Sequence, residues 1–426
     1  MMIFIPLICL MLLFGACSTT TDSIPVISLE PDITEEVLAE EALAEEVLAE
    51  EVLAEEALAE EALAEALYEE DEIEEPQTSP DLLYEIMDAR RDTIEYFDKV
   101  LADPEFYEVQ ILLTEITRDQ SGQPLFTSYE FGVDVNQYFY PACTVKMAMA
   151  ALTLEKLNSI EGADLNCVFY GGGRTMKDYI YRLINNSSNI AYNNLYDFLG
   201  QEYMNETLHS KGYTDCQIIR RFDSPTSVAG DRVNYSWVLR AANGTVVYRQ
   251  DTITNKDHIY SLRDREDMKG LLRGDSHING AGYWVNAPKE FYDYNFISIE
   301  TLQRILKAIM FPMSVPESAR FNMTDEDREF LLSCMSGGTT FRRHIFYGSE
   351  GELNPNVAIY NKTGTGYGNL LDNSYIVDEG NNIEFMITAV IYVNPNRVIN
   401  DDTYHYDDLA MPFLRELGQA VYNGCI

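Results

Sequence analysis

The 426-residue sequence predicts an α/β (α+β) fold: an antiparallel sheet built from both chain ends, flanked by helices, with a helical subdomain formed by the middle of the chain. Three observations carry this expectation. Apolar, β-rich runs flank a mostly helical middle. An apolar helix pattern opens near Cys143, and a second helix pattern closes the chain over residues 404–422. The part from residue 81 to 426 is long enough for one large domain with a sizeable core.

The first eighty residues do not read as globular. Residues 3–16, IFIPLICLMLLFGA, are an apolar run too short to span a bilayer comfortably, ending in small residues before Cys17. That is the shape of an export signal, assigned to residues 1–17. LFGAC resembles a bacterial lipobox, which implies lipidation of Cys17 and anchorage to a membrane of the cell envelope, facing the periplasm or the surface. Phe14 stands where a smaller aliphatic is usual, and no Lys or Arg precedes Arg90. The alternatives are a plain cleaved signal or an uncleaved anchor.

Residues 18–80 are assigned to a spacer. Within it, residues 35–75 repeat EEVLA or EEALA and carry eighteen Glu and one Asp with no positive charge, −19 of the total −40. These are good helix formers. A five-residue step advances about 140° around an α-helix, so the leucines spiral and build no apolar stripe. The segment is expected to be a solvated, self-repelling stalk, with binding of cations or basic partners as the alternative.

The remaining −21 argues against nucleic acid or anionic lipid as a partner of the globular part, and a monomer is expected. Of seven cysteines, Cys9 and Cys17 lie in the signal, leaving Cys143, Cys167, Cys216, Cys334 and Cys425. None has metal-knuckle spacing and the five histidines are scattered, so no metal site and no cofactor is expected. With five thiols, at least one stays free or pairs between chains in an oxidising compartment. The sequence leaves disulfides among Cys167, Cys216, Cys334 and Cys425 open.

Along the globular part, residues 109–116 and LFTSYEFGVDVN form two expected strands joined by the turn signal DQSGQP. NVAIYNKTG and NIEFMITAVIYV are the matching strands near the far end. Tyr181, Leu183, Ile184 and Ile190 suit a partly buried helix before the SSN turn, and NGTVVYRQ suits an inserted hairpin. The abundant tyrosines read as amphipathic packing.

Three short motifs then carry chemistry. In YPACTVKMAMAAL, Cys143 and Lys146 are three apart and share a helix face, so the ammonium reaches the thiol. A helix N-terminus adds partial positive charge, and both effects favour a thiolate. The bland alternative is a buried cysteine with an exposed lysine. Ser187-Ser188-Asn189, followed by Ala191 and Asn193, offers a hydroxyl and an amide able to relay a proton and hold a substrate amide; a polar helix-terminating turn is the alternative. Lys362-Thr363-Gly364-Thr365-Gly366 follows an apolar strand. There a lysine and hydroxyl suit a carboxylate, Gly364 permits close approach, and the next N–H suits an oxyanion.

Taken together and in this order, the motifs resemble the S-x-x-K, S-D-N and K-T-G set of class A β-lactamases and penicillin-binding proteins, with a cysteine at the nucleophile position. TMKDYIYRLINNSSNIAYNNLY and NKTGTGYG extend the resemblance, which covers roughly residues 107–422. It implies a β-lactamase/transpeptidase-like fold and acyl transfer on β-lactams or cell-wall peptide amides. Cys143 would be the nucleophile, Lys146 its proton acceptor and Ser187 the shuttle to the leaving nitrogen. Asn189 would hold the acyl amide, and Lys362 and Thr363 the substrate carboxylate. The N–H groups of Cys143 and Thr365 would form the oxyanion hole, and Asn193 would be structural. Ser188 replaces the usual aspartate. The E-x-x-L-N glutamate that activates the deacylating water has no counterpart in pattern, although Glu290 and Asp293 lie in about the right region.

A thiol acyl-enzyme that turns over slowly is therefore expected. The alternatives are a penicillin- or peptidoglycan-binding sensor lipoprotein using the same cleft, or a structural surface protein for which the acidic stalk is the point.

Overall fold

The computed structural model describes residues 81–89, 95–169, 173–224, 227–256, 261–337 and 356–424. The signal, the acidic repeat, Cys17 and Cys425 lie outside the described residues. Helices α1 (Asp81–Asp88) and α2 (Glu95–Leu101) precede strands β1 (Gln110–Arg118) and β2 (Pro124–Phe131). Strands β3 (Val357–Gly366), β4 (Asn369–Asp378) and β5 (Ile383–Tyr392) come from the far end, and α9 (Met411–Gly424) follows them. They make one sheet in the order β3-β4-β5-β1-β2, antiparallel throughout. The expected sheet from both chain ends is present, in a mixed helix and antiparallel-sheet fold.

The near-continuous apolar run of β5 follows from burial on both faces, as expected for a central strand covered twice. Ile383, Phe385, Ile387, Ala389 and Ile391 join one core with Leu83, Phe97, Phe413 and Leu417, from α1, α2 and α9. Met386 and Val390, between them, join the other core under the helical subdomain.

That subdomain is built around α3 (Val145–Asn158). Its residues 145–154 are all buried, so the helix is apolar nearly all round, as a central helix must be. Around it lie α4 (Met176–Ile184), α5 (Asn189–Leu199), α6 (Gln201–Ser210), α7 (Ile299–Met310) and α8 (Asp325–Ser336). Helices α4, α5, α7 and α8 each contact α3. A buried polar network ties α7 to the sheet. Gln303 accepts from Thr114 Oγ1 at 2.6 Å and donates to Thr388 Oγ1 at 3.1 Å, and Thr388 donates to Asn373 Oδ1 at 2.8 Å. Asn373 is the register partner of Lys362, so the network steadies the strand that carries it.

The inserted hairpin forms, pairing Trp237–Arg240 with Val246–Gln250. Two expectations of burial fail. Tyr181 is 45% exposed and Ile190 76% exposed, whereas Leu183 and Ile184 are fully buried. The chain ends α4 at Ile184 and redirects at Ser187, whose φ is +51°. Ile190 therefore begins the next helix, in its first turn, rather than continuing the buried face.

Candidate active site

Cys143 sits in a 3-10 turn over Ala142–Thr144 that leads directly into α3, and Thr144 Oγ1 donates to Pro141 O at 2.6 Å. Ala142 has φ +46°, a left-handed conformation rarely adopted by residues with a Cβ. It marks a constrained turn into the helix. One helical turn on, Lys146 is fully buried and its Nζ donates to Cys143 Sγ at 3.2 Å. The same ammonium donates to Ser187 O at 2.6 Å and Asn189 Oδ1 at 2.5 Å, and reaches Ser187 Oγ at 3.5 Å. Burial with these acceptors replaces the water a lysine loses, so the bland alternative of an exposed Lys146 does not hold.

From the opposite side, Lys362 on edge strand β3 is 1% exposed and donates to Ser187 Oγ at 3.0 Å and Thr363 O at 2.7 Å. The three motifs therefore converge through Ser187. Thr363 is buried and pairs across the sheet with Asp372, and Thr365 pairs with Leu370. At Gly364 the strand runs against the turn that carries Cys143. An added Cβ would lie 2.7 Å from Pro141 O, 3.1 Å from Cys143 N and 3.2 Å from Ala142 Cβ.

Burial raises the Cys143 thiol, but the charges of Lys362 and Lys146, with hydrogen bonds from Ser187 and Lys146, bring it below its ordinary value. Cys167 and Cys216 shift the other way, pushed up by burial. Among the described cysteines, Cys143, Cys167, Cys216 and Cys334, none is bonded to another of the four. Cys143 is the half-buried one of the four, and it is more acidic than Cys167 and Cys216.

Ser188 caps α5, its Oγ accepting from Ala191 N at 3.2 Å. Serine and aspartate are both good N-caps, which accounts for a serine there. Asn193 donates to Phe222 O at 2.8 Å and accepts from Phe222 N at 3.0 Å. This clamp holds a loop over the site that the sequence did not point to. The Phe222 ring centroid is 5.0 Å from Lys146 Nζ, and Asp223 Oδ2 accepts from Asn189 Nδ2 at 2.6 Å. By contrast, Asp293 pairs with Arg263 at 2.5 Å, and Glu290 is an exposed strand residue opposite Leu272. Among the described contacts neither is hydrogen-bonded to a motif residue, whereas the Asp223 carboxylate is, through Asn189. The only sequence signal was an acid flanked by arginines in RRFDSP.

Behind β3, Asp372 is 1% exposed and accepts from Asn361 Nδ2 at 2.9 and 3.1 Å. Burial pushes its carboxyl up to about 7, against the hydrogen bonds of Asn361 and Ser374 and the charge of Lys362. The folded state therefore holds more protons than the unfolded chain between about pH 4 and pH 7. This group's contribution to stability falls as pH rises through that window. Asp372→Asn removes the titration. In urea unfolding it is expected to gain on wild type between about pH 5 and pH 8, and an unchanged difference across that range would refute the assignment.

With this geometry established, residues 123–264 match the model of the Beta-lactamase enzyme family, about a third of the chain. The matched segment holds Cys143, Lys146, Ser187, Asn189 and Asp223, and ends before Lys362. The chain is similar to a solved beta-lactamase from Desulfarculus baarsii at 13% identity, covering 80% of this chain and 98% of that one with TM-score 0.45. It is similar to one from Burkholderia phymatum at 14% identity, covering 80% and 100% with TM-score 0.45. For one from Xanthomonas campestris pv. campestris the identity is 14%, the coverage 81% and 98%, and the TM-score 0.44. No curated protein matches the chain.

Proposed function

We propose that this chain is a β-lactamase-related acyl-transfer enzyme that acylates Cys143 with β-lactams or cell-wall peptide amides and releases the acyl group slowly. The observation that carries the reading is the convergence of Lys146 Nζ and Lys362 Nζ on Ser187 Oγ, with Cys143 Sγ 3.2 Å from Lys146. In this scheme Cys143 reacts as the thiolate of an ion pair with the Lys146 ammonium, and the thiolate attacks the substrate carbonyl. A C–S bond forms and the C–N bond breaks. The leaving nitrogen takes a proton from the Ser187 hydroxyl, which is replenished from Lys146. The N–H groups of Cys143 and Thr365 stabilise the oxyanion. Lys362 and Thr363 hold the carboxylate, and Asn189 the acyl amide. Water then attacks the thioester carbonyl, the C–S bond breaks to return the thiolate, and of the two protons released one restores the Lys146 ammonium and the other goes to solvent.

The slow release rests on the sulfur, whose longer bonds move the acyl carbonyl relative to an oxyanion hole shaped for oxygen. The same sulfur favours the second reading, a penicillin- or peptidoglycan-binding sensor that keeps its adduct. Either role suits an exported, envelope-anchored lipoprotein with Cys17 as the lipidated residue, acting as a monomer. Intact-protein mass spectrometry under reducing conditions tests the site. Wild type is expected to gain the mass of one benzylpenicillin, and Cys143→Ala none. The decay of the adduct separates hydrolase from sensor. No adduct on wild type and one on Cys143→Ser would mean a preserved cleft silenced by sulfur, and would overturn thiol acylation.

A further inference from the structure

We propose that Lys156 is a positioning residue for acyl transfer: it pins the far end of α5 to the far end of α3, and so holds Ser187 and Asn189 in place beside Cys143. This rests on the acyl-transfer reading and adds a residue to the same site. The two helices run side by side in the same direction, and a lysine of α3 joins them at each end. At the near end Lys146 Nζ donates to Ser187 O and Asn189 Oδ1. At the far end Lys156 Nζ donates to Phe198 O, and to Leu199 O at 3.2 Å. Lys146 and Lys156 are ten residues apart, as are Asn189 and Leu199, so each helix advances about 15 Å between the joints. A single joint would let α5 pivot or slide on α3 by the small shear that packed helices allow. Two joints fix it lengthwise.

The Lys156 ammonium has acceptors and no counter-ion. Among the described contacts no carboxylate touches it. Its third acceptor is Gln250 Oε1 at 3.2 Å, and the rings of Phe198, Tyr203 and Tyr248 surround it at 4.7, 5.2 and 5.5 Å. Burial brings the ammonium down to about 8, a cost that an apolar side chain of similar length would not carry. The parallel helices account for the charge. Their C-terminal ends lie together and both carry partial negative charge, which a cation in the last turn of α3 offsets. Gln250 completes the joint by donating to Asp197 O at 2.6 Å, so three consecutive carbonyls at the end of α5 find donors there. Lys156 has no proton to move in the reaction. Its effect reaches Cys143 through α5.

Two reactions of the full chain separate positioning from packing. Alkylation of Cys143 by iodoacetamide, read on its own peptide, needs only the thiolate, and the lysine charges that favour it ride on α3 and β3. Acylation by benzylpenicillin, followed by intact mass, also needs Ser187 and Asn189 at the head of α5. Lys156→Met is expected to slow acylation about tenfold, the scale of a sub-ångström misplacement, and to leave alkylation within about threefold of wild type. Lys156→Arg keeps a cation with N–H donors and is expected to hold acylation within about threefold. Lys156→Gln serves as a second neutral variant should the first fold poorly, with the same split expected. Acylation within about threefold of wild type in both neutral variants would overturn the proposal. Acylation and alkylation falling together would also overturn it and make Lys156 a packing residue, as would a loss in Lys156→Arg equal to that in Lys156→Met. No adduct from benzylpenicillin on wild type or Cys143→Ser, with alkylation of Cys143 retained, would instead bring down the acyl-transfer reading, and this inference with it.

Discussion

Gly364→Ala is expected to slow acylation of Cys143 by about 100-fold or more while the protein still unfolds cooperatively. The added methyl group has nowhere to go, since it meets Pro141 O at 2.7 Å and Cys143 N at 3.1 Å. Both neighbours are backbone, so relief requires the edge strand and the nucleophile turn to separate by a few tenths of an ångström. Lys362 rides on that strand and Cys143 on that turn, and small misplacements of reacting groups are costly in rate. The stability cost of such overpacking is about 1–3 kcal/mol, small enough to leave a folded protein. Gly280→Ala is the control, because a methyl there meets nothing within 4 Å. The rates come from intact mass, and the folding from urea titration. An acylation rate within about threefold of wild type would mean that the seam between β3 and the nucleophile turn does not shape the site.

Lys146→Met is expected to cost about 100-fold or more in acylation, the scale at which a positioned proton-transfer group acts. A merely structural lysine would also destabilise the protein on removal, so the deciding measurement is the pH dependence of Cys143 alkylation. Burial opposes the thiolate, and two lysine charges outweigh it. With Lys146 gone, burial faces only Lys362 and the Ser187 hydrogen bond, and the alkylation midpoint is expected to move to higher pH. Cys167 and Cys216, whose thiols burial pushes up, contribute little signal near neutrality. A midpoint that stays in place while the protein loses stability would make Lys146 a packing residue.

The parts of this molecule legible in the sequence are those governed by local pattern. Strands β3 and β5 announced themselves through β-rich apolar runs. The Cys143–Lys146 pair followed from helical spacing, and the 3.2 Å contact is what that spacing delivers. The convergence on Ser187 was legible only through the order of three motifs resembling a known set. Phe222 and Asp223 were not legible, because their position depends on Asn193, 29 residues earlier, and on ion pairs among Arg220, Arg221, Asp197 and Asp231. Likewise Ile190 looked like part of an apolar face until the left-handed turn at Ser187 re-aimed the chain. Tertiary contacts decided each of these, and no window of local sequence contains them.

The sheet's order has a consequence for the timing of chemistry. Strand β3, bearing Lys362, reaches the ribosome exit more than two hundred residues after Cys143, yet the thiolate depends on that lysine's charge. Until β3 zips against β4, the cysteine of a nascent or unfolded chain is an ordinary thiol, largely protonated at neutral pH and slow to react. Sheets closed by strands far apart in sequence also form late, because loop closure precedes the contacts that reward it. The acidity of Cys143 is therefore a property of the completed fold, and an unfolded chain carries that sulfur as an ordinary thiol.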